Sequence, residues 1–223
     1  MGLTAKSPLT ALTECVEGVR RILAGDTVDA EGNQFVFRSV PATHRPDQDV
    51  PILTGVLGPK SLRLSGRIAD GTVMSVLSGT RYLEVALEQI GAGMAESGRT
   101  EHAVPTFALF SVATDSKAAR AAVRPTLAVY LVAVGPHNPL TAPYSYNDHL
   151  AELIGERSRR RPCGPRDARQ VGRRTRRRGD PDEVAERITA LGSAGATSVV
   201  LSSVNPATRT RGLELLASSL PGR

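Results

Sequence analysis

Short apolar segments alternate with amphipathic segments along most of the 223-residue chain, and this alternation constrains the fold more than any other feature. Four apolar segments have the length of strands: residues 50–56, 72–77, 105–113 and 197–202. A segment with helical spacing of apolar residues follows each of them. Strands that alternate with helices are typical of β-α units around a parallel sheet. The pattern therefore predicts an α/β fold and leaves an open sheet and a closed barrel as alternatives.

Helix boundaries are marked by residues that favour helix ends. Ser7 is placed to cap a first helix, Pro8 suits its first position, and Gly25 suits its end. Asp180 and Pro181 repeat this arrangement before a late helix. The predicted helices cover residues 8–24, 60–69, 80–97, 116–132 (bent near Pro125), 147–156, 181–194 and 206–219, with a hairpin or irregular excursion at 26–40.

The formal charge of +6 comes from one segment. Residues 157–178 hold 11 Arg and one acidic residue, so they carry +10, whereas the rest of the chain carries −4. The segment has almost no apolar residue, and we expect it to be disordered. One explanation of this segment is a pair of frameshifts in a GC-rich gene, the first of which leaves the reading frame and the second of which restores it. An arm that binds phosphate on RNA or on a membrane is the weaker alternative, since interleaved aromatics and an amphipathic pattern are lacking.

Other features of the sequence exclude whole classes of protein. Cys15 and Cys163 are far apart and do not form a disulfide framework. No apolar run approaches 18 residues and the first 25 residues hold no unbroken apolar run, so we expect a cytoplasmic protein without a membrane span. No metal site is predicted, because the four histidines lack ligand spacing: His44, His102, His137 and His149.

Three stretches carry a resemblance to a known family. The segment 51–60 (PILTGVLGPK) is followed by 65–71 (SGRIADG), and the segment 179–188 (GDPDEVAERI) is followed by Gly195-Ala196. Together with the helix end at 23–26 (LAGD), they resemble the luciferase-like monooxygenase family. Within it, the actinobacterial type that uses the deazaflavin coenzyme F-420 (F420) is most similar. The resemblance covers roughly residues 1–156 and 179–220.

The resemblance implies a TIM-type (β/α) barrel, of which this chain matches the C-terminal half with about four parallel strands. Residues 1–156 then supply β-α units, residues 157–179 are the arginine-rich segment, and residues 180–223 supply the final helix-strand-helix. An N-terminally truncated barrel is expected, from an internal start codon or a truncated gene. A half barrel leaves strand edges and core exposed, which predicts impaired activity, poor solubility or self-association into a homo-oligomer.

The turn after the first predicted strand is the candidate cofactor site. Gly55 and Gly58 allow the backbone to approach a ligand closely. The helix that begins near Pro59 offers unpaired N–H groups and a positive dipole end, and Lys60 adds a charge. This arrangement suits the phosphate of a flavin-type cofactor, and the alternative is a plain strand-to-helix turn. The assigned cofactor-binding residues are Thr54, Gly55, Val56, Leu57, Gly58 and Lys60, together with Ser75 after the second strand.

Residues near the other strand ends have two interpretations each. Ser78, Ser202 and Ser203 either face the cofactor or complete a turn or cap. Asp115, after Thr114, is interpreted as a helix cap, and Asp70 with Gly71 as structural, since they precede a strand. Four rings lie in loops or at helix edges, where packing or solvent exposure explains them better than substrate contact: His137, Tyr144, Tyr146 and His149.

The resemblance also implies an activity. This is hydride transfer between a cofactor, either F420 or alternatively FMN, and a small organic substrate, with monooxygenation in members that use a true flavin. No catalytic residue is assigned, because the groups that hold the ring are expected in the missing half. Two other classes stay open: a non-catalytic β-α scaffold or binding protein, and a nucleic-acid binder that uses the arginine-rich segment.

Overall fold

The computed structural model describes residues 7–113, 115–159, 181–205 and 209–219. The chain divides into two compact units. Unit 1 consists of Met1–Val73 and Ala86–Val104, and unit 2 consists of Met74–Val85 and Pro105–Arg223. Each unit contains one parallel pair of strands beside helices, which confirms the predicted α/β class.

Unit 1 begins with a helix packed beside a hairpin. Helix α1 (Pro8–Leu23) starts at Pro8 as predicted, but the Ser7 hydroxyl contacts Thr10 Oγ1 at 2.7 Å and caps no backbone N–H. Strands β1 (Val28–Glu31) and β2 (Val36–Val40) pair in antiparallel fashion, which confirms a hairpin in residues 26–40. The Glu14 carboxylate of α1 accepts hydrogen bonds from three backbone N–H groups of the hairpin turn, those of Asn33, Gln34 and Phe35.

The rest of unit 1 is a β-α-β unit. Strand β3 (Leu53–Thr54), helix α2 (Pro59–Ile68) and strand β4 (Gly71–Thr72) follow in order, and β3 pairs with β4 in parallel. Gly71 also bridges Ala103 in parallel.

Both strands are shorter than predicted. Segment 50–56 is shortened because an open turn follows Thr54 before the helix begins at Pro59. Segment 72–77 is shortened because the chain turns at Ser75, whose carbonyl accepts the Ser78 N–H at 2.9 Å.

Helix α3 (Thr80–Ser97) crosses α2 at two glycines. A Cβ atom on Gly66 would collide with the Ile90 carbonyl, and one on Gly93 would collide with the Arg63 carbonyl. The two backbones therefore approach more closely than any side chain would permit.

Unit 2 contains one longer parallel pair. Strands β5 (Pro105–Phe110) and β6 (Ser198–Ser203) are matched along six residues, from Pro105 with Ser198 to Phe110 with Ser203. Met74 bridges Thr106 in parallel. The other elements are α4 (Ser116–Val134, with Pro125 inside), a 3₁₀ turn (Ala142–Tyr144), α5 (Asn147–Arg159), α6 (Pro181–Ser193) and α7 (Arg209–Ala217).

One prediction about the later helices is confirmed, and another is refined. Asp115 caps α4 by accepting the Lys117 N–H at 2.9 Å, as expected. Helix α5 continues to Arg159, so the first residues of the arginine-rich segment have helical backbone. The rest of that segment, and with it Cys163 and Asp180, lies outside the described residues. Within the described ranges, no helix has the length and apolar content needed to cross a membrane.

Candidate functional site

In the turn between β3 and α2, two glycines leave the backbone uncovered by side chains. Gly55 is exposed, and a Cβ atom built on it would meet nothing within 4 Å. Gly58 has extended backbone (φ −83°, ψ 154°), and its Cβ would meet only the Ser61 hydroxyl at 3.6 Å. Neither residue needs to be glycine for the fold, so the absence of side chains here leaves room for a ligand.

The start of α2 supplies donors and charge to the same turn. The Gly58 carbonyl accepts the Leu62 N–H and the Ser61 hydroxyl, both at 2.9 Å, and no side chain caps the helix. The N–H groups of Lys60 and Ser61 therefore precede the first helical hydrogen bond and point out of the helix end. The Lys60 side chain is exposed beside them. This arrangement favours an anionic group.

Thr54 takes part in the turn differently from the other predicted residues. Its side chain is 4% exposed, and Oγ1 lies 2.6 Å from Ser65 Oγ in the interior of unit 1. Val56 and Leu57 are half-buried in the turn itself. The side chain of Thr54 thus supports the turn from behind, whereas Gly55 and Lys60 are exposed to solvent.

A series of buried hydroxyls continues from Thr54. Ser65 Oγ lies 2.6 Å from Thr72 Oγ1, and Thr72 Oγ1 lies 2.8 Å from His102 Nε2. Burial and the charge of Arg99 lower the pKa of His102 below its ordinary value, against the opposing effects of the Ala69 backbone and the Asp70 carboxylate. His102 is therefore neutral at pH 7.

Asp70 joins several segments at the opposite end of the β-α-β unit. Its carboxylate accepts hydrogen bonds from Arg20 (3.1 Å), Arg99 (3.0 Å) and the Ile52 N–H (2.8 Å). Burial acts to raise the pKa of Asp70, but these donors outweigh it and lower the pKa below its usual value. Arg99 also donates to the carbonyls of Arg67 and Ile68 at the end of α2. These contacts agree with the structural interpretation of Asp70.

In unit 2, two pairs of residues lie in contact: Ser75 with Ser78, and Arg81 with Tyr144. Ser75 is half-buried and ends its segment in a turn. Ser78 is buried, and its hydroxyl has no hydrogen-bond partner among the described residues. The Tyr144 hydroxyl accepts the Arg81 N–H at 3.2 Å and packs against Gly79. Arg81 lies over the Tyr144 ring, 5.8 Å from its centre.

The remaining candidates have ordinary structural explanations. Tyr144 and Tyr146 stack on one another with ring centres 6.0 Å apart. The Ser203 hydroxyl donates to the Asn205 carbonyl and accepts the Asn205 N–H, so it completes a turn. His149 is on the surface, 3.8 Å from Glu152. Thr114 lies outside the described residues. Among the residues that are described, no group of three His, Cys, Asp or Glu side chains could hold a metal.

Sequence reasoning missed Ser65, Thr72 and His102. Ser65 lies in a helix, Thr72 in a strand and His102 in a connection, and their separations along the chain follow no structural period. Only the packing of α2 onto the parallel pair of strands places them in series, so no local signal in the sequence could have found them.

Comparisons with known proteins agree with the resemblance. The profile of the luciferase-like monooxygenase family matches residues 1–198. The chain is 26% identical, over 99% of its length, to a 5,10-methylenetetrahydromethanopterin reductase from Archaeoglobus fulgidus, of which it covers 68%. It is 34% identical, over 43% of its length, to an F420-dependent glucose-6-phosphate dehydrogenase from Microbacterium testaceum, of which it covers 29%.

The fold is also similar to that of a solved relative. The structure of coenzyme F420-dependent tetrahydromethanopterin reductase from Methanopyrus kandleri superposes with a TM-score of 0.78 at 26% identity. The match covers 96% of this chain and 63% of that one. The chain therefore spans about two thirds or less of the length of these relatives.

Proposed function

The chain belongs to the luciferase-like monooxygenase family, and from this premise we propose that it is an oxidoreductase, or part of one, that transfers a hydride between coenzyme F420 and a small organic substrate. Relatives that match it include enzymes named as F420-dependent. FMN is the alternative cofactor. The observation that carries the proposal is the open glycine turn before α2, which offers backbone donors and a lysine to an anion.

The residues at this turn fit the phosphate of such a cofactor. Gly55 leaves the space above the turn free, the N–H groups of Lys60 and Ser61 suit phosphate oxygens, and the Lys60 ammonium adds opposite charge. In our proposal the cofactor supplies the redox chemistry, and this turn binds and orients it. Ser75 is proposed as a further cofactor contact. No residue is assigned to the chemical step.

The finer architecture belongs to the same proposal. We propose that the two parallel pairs are part of a TIM-type barrel, in which the loops after the strands form the active face. The turn after β3 would then lie on that face, and Asp70, before β4, on the face that serves stability. We also propose, as expected from the sequence, that the protein is cytoplasmic and that copies of it associate with one another.

The first experiment measures cofactor binding by the full chain. F420 is titrated into wild type, Gly55→Ala and Lys60→Ala, and its fluorescence is followed. Gly55→Ala should weaken binding about three- to tenfold, because a methyl group would separate the backbone from the ligand. Lys60→Ala should weaken it about two- to fivefold, the range of an exposed ion pair.

Matched controls separate binding from folding. Gly91→Ala also adds a methyl group where no atom lies within 4 Å, and Lys117→Ala removes an exposed lysine from the start of another helix. Neither control should change F420 affinity, and melting temperatures of the two turn variants should stay close to that of wild type. Unchanged F420 affinity in both turn variants would favour the plain-turn interpretation. Tighter binding of FMN than of F420 would assign the flavin alternative.

A further inference from the structure

Helix α2 carries three basic residues and no acidic residue. Lys60, Arg63 and Arg67 are all exposed, and their spacing of three and four residues places them on one side of the helix. Leu62 and Ser65, on the other side, are buried in unit 1. The three cations are called the basic face of α2 below. The basic face begins in the first turn of the helix, beside the glycine turn, and extends away from it.

The three charges of the basic face differ in whether the protein already neutralises them. Arg63 forms an ion pair with Glu96 of α3. In the part of the chain that the structure describes, no acidic side chain pairs with Lys60 or Arg67. Two positive charges, two helical turns apart, are therefore available to an anionic ligand. The third is available only in competition with Glu96.

A ligand that continues beyond its phosphate reaches the basic face directly. Lys60 belongs both to the turn that would bind the phosphate and to this face. FMN ends at its phosphate, whereas in F420 the phosphate joins the ring-bearing part to a tail of glutamate residues, each with a carboxylate. Lys60 and Arg67 are separated by about 10 Å along the helix axis, at about 1.5 Å per residue. Three extended tail residues span this distance, at about 3.5 Å each.

We propose that the basic face of α2 binds the glutamate tail of F420, with Arg67 as the outermost contact, and that it thereby selects F420 over FMN. This proposal rests on the proposed function, since the tail leaves the phosphate at the turn before α2. Each pair of a carboxylate and an exposed cation raises affinity by up to about fivefold and is screened by salt. A nucleic acid is the other polyanion that a basic surface attracts. The short length of the face and its continuity with the turn favour the tail.

The test compares two forms of the cofactor, F420 with several glutamates and F420 that lacks the glutamates, in fluorescence titrations of the full chain. Wild type should bind the long-tailed form about three- to tenfold more tightly, and about 0.5 M NaCl should remove most of this difference. Arg67→Gln should reduce the difference about two- to fivefold and keep the wild-type affinity for the tail-less form. Arg38→Gln removes an exposed arginine from β2 of the same unit, and it should keep the full difference.

A second substitution is expected to increase affinity. Glu96→Gln releases Arg63 from its ion pair and removes no cation, so the long-tailed form should bind about two- to fivefold more tightly than to wild type. The affinity for the tail-less form should stay close to that of wild type. Loss of structure alone would not produce this gain. Melting temperatures of the three variants should stay close to that of wild type, because all three substitutions are on the surface.

The two proposals fail in distinguishable ways. Equal affinity of wild type for both forms of F420 would overturn the tail proposal and leave the proposed function in place. Failure of wild type to bind either form would overturn the proposed function, and the tail proposal with it. If tail length had no effect, and a single-stranded RNA bound wild type but not Arg67→Gln, the basic face would be a nucleic-acid surface instead.

Discussion

At the scale of single residues, Asp70 connects three segments of unit 1. One carboxylate, 25% exposed, holds Arg20 of α1, Arg99 after α3 and the Ile52 N–H before β3. Asp70→Asn keeps the shape but removes the charge that the two arginines share. We expect unfolding in urea to become easier by about 2–3 kcal/mol, in the range of hydrogen bonds to charged groups.

A surface ion pair in the same unit provides the control. Asp26 lies 3.4 Å from Arg21, and both side chains are at least half exposed. Asp26→Asn should change the free energy of unfolding by less than about 0.5 kcal/mol. Equal effects of the two substitutions would show that Asp70 does not organise its end of the β-α-β unit.

Asp70 and His102 also predict how stability depends on pH. The pKa of Asp70 is lowered in the folded state, so its contribution is present above the unfolded pKa, near 4, and is lost as pH falls through the folded pKa. The pKa of His102 is also lowered, so the unfolded chain binds the proton first, and stability falls as pH drops below about 6.5. Urea unfolding at several pH values should show both losses. His102→Gln should remove only the one at higher pH.

At the scale of elements, the crossing of α2 and α3 depends on glycine. Gly66→Ala and Gly93→Ala each place a methyl group against a backbone carbonyl of the facing helix, which cannot move aside as a flexible side chain would. Overpacking of this kind costs about 1–3 kcal/mol. We expect each variant to unfold at lower urea concentration than wild type.

A glycine on the exposed face of α3 separates packing from helix propensity. Gly91 has nothing within 4 Å of its Cβ position, so Gly91→Ala should stabilise the protein by up to about 1 kcal/mol. If Gly66→Ala stabilised the protein as much as Gly91→Ala, the close approach of the two helices would be refuted.

At the scale of the whole molecule, an exposed apolar stretch on α4 bears on the proposed self-association. Val129 is 68% exposed, and Val132, one turn later, is 45% exposed. Val129→Asp would place a charge in an apolar contact, so it should weaken association of two copies by at least about tenfold. Sedimentation velocity over a concentration series measures this effect. Val85→Asp changes an equally apolar exposed residue on α3, and it should associate like wild type.

A wild-type chain that stays monomeric at high concentration would contradict this prediction. An equal loss of association in both variants would show that any added negative charge weakens association, and that the α4 surface has no special role.

Much of the fold was determined by the sequence alone. Pro8 and Asp115 begin helices where predicted, and the strand and helix periods identified the β-α units, because these features depend on residues close in the chain. The glycines and lysine of the turn after β3 were recognisable for the same reason. Strand lengths were less predictable, since hydrogen bonds from a neighbouring strand decide where pairing stops.

Tertiary structure alone decided which distant side chains meet. It turned the Thr54 hydroxyl toward Ser65, joined Thr72 to His102, and made Gly66 a contact between helices while Gly91 stayed free. Each of these outcomes depends on how one element packs on another, and the packing of distant elements leaves no period or motif in the local sequence.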